Sequence, residues 1–172
     1  MAMQMDRRTF LKTSASAAVA VAMTGLLGGC GETPAPIASV TLPGFVVSLL
    51  RVSVKGGVVY DDTKNETLSV DAAFSLTYTG TGFSSDAFGN IFSASILDTP
   101  LDLRSSGLLT VSDFPLNKAK TCTVSFYKEA EGLNTAYANG TPVVLKVKLS
   151  NQIAQFTCSR NGEVTGTFVS SV

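Results

Sequence analysis

From Leu68 to Tyr78 the apolar side chains fall on every second residue: Leu68, Val70, Ala72, Phe74, Leu76 and Tyr78, with Ser69, Asp71, Ser75 and Thr77 between them. A period of two is that of an extended strand, whose successive side chains point to opposite faces, so this segment predicts a half-buried strand. Cys122, Val124 and Phe126 alternate in the same way with Thr121, Thr123, Ser125 and Tyr127, and Val143, Leu145, Val147 and Leu149 with Val144, Lys146, Lys148 and Ser150. Less regular candidates are Phe45 to Val54, Ile91 to Leu97, Leu108 to Val111, Ile153 to Cys158 and Val164 to Val169. Gly56-Gly57, Thr79-Gly80-Thr81-Gly82, Gly89-Asn90, Asn117, Asn139-Gly140, Asn151-Gln152 and Asn161-Gly162 punctuate these runs. Asn161-Gly162 suits a tight hairpin between the last two strands, with Asn151-Gln152 as the turn before them. The one helical candidate, Lys128 to Tyr137, is interrupted by Gly132 and makes at best a turn or two inside a loop.

About eight short strands with no crossover helix predict an all-β domain over residues 44–172, an antiparallel β-sandwich with a small β-barrel as the alternative. Composition narrows the chemistry. The 172 residues carry 13 basic and 13 acidic side chains and are 45% apolar, which leaves no electrostatic footprint for nucleic acid and too much apolar content for a disordered chain. The absence of His removes the commonest general base and metal ligand. No cofactor is implied.

The first thirty residues carry an address. Arg7 and Arg8 precede an uncharged stretch from Thr13 to Gly29 rich in Ala, Val, Ser and Gly, the order of a cleaved signal peptide over residues 1–29. A spanning helix is the alternative, but it would want about 20 strongly apolar residues. Arg7-Arg8-Thr9-Phe10-Leu11-Lys12 resembles the twin-arginine export signal, in which Arg7, Arg8, Phe10, Leu11 and Lys12 occupy the recognised positions. Asp6 stands where that signal usually has Ser or Thr, and the general secretory route is the alternative. The resemblance implies export of an already folded domain.

Leu27-Gly28-Gly29-Cys30 resembles a bacterial lipobox. By that resemblance Cys30 becomes the first mature residue and carries thioether-linked diacylglycerol with palmitate-type chains. At about 0.8 kcal/mol per buried methylene, two chains hold a protein on a membrane without a spanning helix. Residues 30–43, with Pro34 and Pro36, read as a tether of the lipidated Cys to the domain. Such a protein sits outside the cytoplasm, on the cell surface or, in a Gram-negative cell, on the outer membrane, which Gly31 in place of Asp favours.

With Cys30 assigned to lipid, Cys122 and Cys158 remain, and in an exported protein they predict a disulfide, with two separate buried thiols as the alternative. Asp61, Asp62 and Glu66 form an acidic loop without calcium-loop spacing, and Asp98, Asp102 and Asp113 are scattered, so no metal site is assigned. Ser125-Phe126-Tyr127-Lys128 matches the Ser-x-x-Lys string of penicillin-recognising enzymes, but its partner strings are missing. No catalytic residue is named. The glycine-rich loop from Thr79 to Asn90 carries Phe83 and Phe88, the candidate binding residues, and the other possibility is that both rings cap the core. The strand order is generically similar to immunoglobulin-like domains of bacterial surface lipoproteins, which carries no functional residue across. The expectation is a lipid-anchored extracytoplasmic binding module for an envelope protein or glycan, with a structural envelope lipoprotein second and a hydrolase third.

Overall fold

A computed structural model describes residues 34–59, 65–80, 91–106 and 114–170. The alternation at Leu68 to Tyr78 belongs to a longer strand, β3 (Asn65–Tyr78), flanked in the sheet by β2 (Phe45–Val58) and β6 (Ala119–Glu131). The other elements are β1 (Ala38–Leu42), β4 (Phe92–Ile96), β5 (Thr99–Ser106), a helix α1 (Leu133–Ala138), β7 (Val143–Leu149), β8 (Gln152–Cys158) and β9 (Val164–Ser170). All pairings are antiparallel, in the order β1-β2-β3-β6-β5-β4-β7-β8-β9.

The fold is all-β. One sheet of nine strands curls until it is nearly a barrel, with β1 packed against β8 and β9. Gly166 permits this return, because a Cβ there would lie 2.8 Å from Val40 Cγ2. The architecture is therefore closer to the barrel alternative than to two separate layers. Inside it Phe45, Phe74, Phe126 and Phe156 are almost wholly buried. The Phe74 ring stacks on Phe92 at 5.4 Å and tilts against Phe156 at 5.7 Å, which joins the β2–β3–β6 wall to the β4–β7–β8 wall. Each such ring removes enough apolar surface from water to contribute about 1.5–3 kcal/mol.

Ala38–Leu42 corrects the tether. These residues pair with Phe45 to Leu49 and bury Ala38, Val40 and Leu42, so the tether ends at Ile37. Strand β2 continues past Val54 through Gly56-Gly57, which pair with Leu68 and Thr67 rather than making a turn, and a bulge between Leu49 and Arg51 breaks its alternation, burying both Leu49 and Leu50. Strand β5 was not anticipated: its first half holds Pro100 and Asp102 and buries only Leu101. The candidate strand Leu108 to Val111 lies outside the described residues. The turn placed at Asn151-Gln152 falls one residue earlier, since Leu149 pairs with Gln152 and Ser150 takes φ 56°. Gly162, at φ 86°, closes the β8–β9 hairpin through Ser159 N–H to Glu163 O at 2.9 Å.

The strands define two ends. The α1 end carries α1, the β4–β5 turn and the β8–β9 hairpin, whereas the Gly44 end carries the β1–β2 and β7–β8 turns and the C-terminal ends of β3 and β9.

Candidate functional site

At the Gly44 end the rim is built from aromatic packing. Phe45 meets Tyr78 at 5.2 Å and, edge-on, Phe114 at 5.6 Å, and Phe114 is buried. Backbone bonds lock the rim: Thr79 N–H donates to Gly44 O at 2.9 Å, and Asn117 N–H to Tyr78 O at 2.8 Å. On the other side Lys148 N–H donates to Ile91 O at 2.7 Å. Both strand ends that border residues 81–90 are thus held by backbone bonds. Phe83 and Phe88 themselves lie outside the described residues. Leu116, beside Gly80, is 57% exposed, and Phe168 is 49% exposed on β9.

At the α1 end, Gly56 and Gly57 leave β2 bare where α1 crosses it. Glu66 receives Thr135 N–H at 2.7 Å and the Thr135 hydroxyl at 2.5 Å, so its carboxylate satisfies a free donor in the first turn of α1. These bonds, the hydroxyl's first, hold the Glu66 carboxyl below its ordinary value. Arg160 donates from Nη1 to Ala138 O at the other end of the helix. Glu66 therefore serves the helix, and its acidic neighbours Asp61 and Asp62 lie outside the described residues. Among the described residues no group of three or more His, Cys, Asp or Glu side chains gathers to hold a metal ion.

Two further polar pairs lie on β3, β6 and β5. Ser125 donates to Asp71 Oδ1 at 2.6 Å, and Lys128 turns to Asp102 at 3.2 Å, so the two members of the Ser-x-x-Lys string engage different carboxylates. Arg104 stacks 4.5 Å above the Tyr127 ring. The bulge between Leu103 and Ser105 lets it do so, which no sequence period signals.

The predicted disulfide is overturned. Cys122 and Cys158 are free, on β6 and β8, with β5, β4 and β7 between them in the sheet. Cys122 pairs with Phe74 toward the Gly44 end, while Cys158 pairs with Val143 at the α1 end. Their sulfurs approach different carbonyls, Phe74 O at 3.8 Å and Phe156 O at 4.0 Å. Burial pushes each thiol up to about 12, which suppresses the thiolate that exchange and metal binding need.

Residues 4–24 match the family model for the twin-arginine translocation pathway signal sequence. The chain is therefore directed out of the cytoplasm, and Arg7, Arg8, Phe10, Leu11 and Lys12 fall inside the matched segment. No curated protein and no solved structure matches the chain. Leu27, Gly28, Gly29 and Cys30, where a lipobox is expected, and the signal residues lie outside the described residues.

Proposed function

We propose that this protein is a lipid-anchored interaction module of the bacterial cell envelope, held to a membrane through Cys30 and presenting the Gly44 end of its barrel to a protein or glycan partner. The observation that carries the reading is the order of parts. An export signal at residues 4–24 runs into Leu27-Gly28-Gly29-Cys30, and only seven residues later the first barrel strand is engaged through Ile37. A thiol at that place suits diacylglycerol transfer, and the short tether keeps the domain near the bilayer. The backbone bonds that hold Thr79 and Ile91, on either side of residues 81–90, support the binding part of the reading, in which Phe83 and Phe88 are the contact residues.

The test has two parts. Cells fed a labelled fatty acid are expected to place label on Cys30 of the wild-type protein and none on Cys30→Ala; an unlabelled wild type ends the anchor reading. Phe83→Ala with Phe88→Ala is expected to weaken capture of envelope partners about 30-fold or more, as for anchors worth about 2 kcal/mol, with the thermal transition unmoved. A lowered transition in that variant assigns the rings to the core instead.

A further inference from the structure

The charges of the described chain are spread unevenly along the barrel. In the ladders Arg51 stands opposite Ala73 and Lys120 opposite Leu76, Lys118 follows Asn117 at the rim, and Lys146 and Lys148 lie on β7 toward Ile91. Arg51, Lys118, Lys120 and Lys148 occupy the Gly44 half and Lys146 the middle of β7, whereas Lys55, Lys128 and Arg160 lie in the α1 half and Arg104 at mid-barrel. Every described carboxylate lies in the α1 half, from Asp71 near mid-barrel to Glu66, Glu131 and Glu163 at the rim. Among the described residues the Gly44 end is therefore cationic, and in the α1 half carboxylates outnumber cations, so that end is anionic on balance. Three of the five exposed large apolar side chains, Leu116, Phe168 and Val169, are also at the cationic end.

The chain that leads to the anchor is long enough to reach the same end. Ile37 N–H donates to Leu49 O, so the tether leaves the wall level with Leu49. From Ile37 back to Cys30 the chain spans at most about 25 Å. Strand β2 runs from Leu49 to Phe45 at the Gly44 end over about 13 Å, but from Leu49 to Val58 at the α1 end over roughly 27–30 Å, before any tilt. Strand β1 runs from Ala38 opposite Leu49 to Leu42 opposite Phe45, so the chain before it heads toward the α1 end and brings Cys30 to the cationic rim by turning back, which its reach allows.

We propose that the Gly44 end docks on an anionic bilayer surface, with Leu116 entering the headgroup layer and Lys118 and Lys148 meeting lipid phosphates. The orientation rests on Cys30 as the anchored residue; the affinity for anionic lipid does not. A domain held this way keeps its cationic rim near the membrane.

The experiment uses the exported Cys30→Ala chain, which has no thiol to acylate, and vesicles of phosphatidylcholine with or without phosphatidylglycerol. Binding is expected only with phosphatidylglycerol, weakening as salt rises. Lys118→Gln with Lys148→Gln is expected to lower it about 10–30-fold. A solvatochromic probe on Leu116→Cys shifts to the blue on these vesicles and one on Leu97→Cys, at the α1 end, does not, the buried native thiols staying unlabelled. Equal binding to both vesicle types, or a shift at position 97 and none at 116, overturns the docking. If fatty-acid labelling of Cys30 fails while anionic vesicles still bind through position 116, the anchor falls and the lipid-binding end stands.

Discussion

Gly56 and Asn134 are so close that a Cβ on Gly56 would overlap the Asn134 amide oxygen. The reason for glycine is space, not backbone conformation: α1 lies directly on the bare ribbon of β2, and any side chain at position 56 must displace the Asn134 side chain. Gly56→Ala is expected to destabilise the domain by about 1–3 kcal/mol, as overpacking does. Gly57→Ala meets only the Thr67 hydroxyl, at 2.8 Å, and should cost less. Thermal denaturation of the two variants checks the order, and an equal effect would remove Asn134 as the cause.

The helix is also tied by charge. Glu66 has its carboxyl lowered from the ordinary value of 4.5, chiefly by the Thr135 hydroxyl and then by the Thr135 N–H. A depressed folded value means that the unfolded chain takes up the proton first. The stabilisation is therefore complete above about pH 4.5 and is lost as pH falls through the lower folded value. Glu66→Gln should be less stable than wild type at neutral pH, with the gap closing below pH 4.5. A gap that widens on acidification would show that Glu66 opposes the fold.

Much of the barrel could be read from alternation, and the failures have local causes. Strands β3, β6, β7 and β8 each keep one buried face for most of their length, so a period of two identified them. Strand β1 was hidden by its setting: five residues after a Pro-Ala-Pro run read as tether, although Ala38, Val40 and Leu42 alternate with Ser39 and Thr41. The bulges at Leu50 and Arg104 each insert a residue that shifts the register, and only the partner strand shows where. Sheet order was out of reach for the same reason. Nothing local in β3 says that its second neighbour is β6, nor that β5, β4 and β7 separate Cys122 from Cys158. The export signal was readable because a receptor recognises it as a linear string, without a fold.

The two thiols make a chemical prediction. Burial keeps Cys122 and Cys158 protonated, each pushed up to about 12, and encloses them in the core. Iodoacetamide at pH 8 should leave both unmodified in the native protein and modify both in denaturant without any reductant. Recovery of a peptide linking Cys122 to Cys158 from protein taken from the envelope would contradict the separation of β6 and β8. Cys158→Ala, which removes a buried sulfur, should cost about 1–2 kcal/mol and leave the response to oxidants unchanged.

The export signal and the barrel make a joint prediction. The ladders β3–β6 and β4–β7 join strands distant in sequence, and the core closes only when β8 and β9 are present to meet β1. Such non-local pairing is slow and leaves unpaired edges while incomplete, so a route that carries the finished domain avoids exporting an unpaired sheet. The twin-arginine signal at residues 4–24 implies that route. Its receptor reads two flat guanidinium groups, whose fixed forks of donors an ammonium does not reproduce. Arg7→Lys with Arg8→Lys keeps both positive charges, yet is expected to cut the exported fraction at least tenfold, with folded precursor accumulating in the cytoplasm. Fractionation followed by protease protection measures this. Unimpaired export of the double variant would show that charge alone suffices and that the chain travels unfolded by the general secretory route.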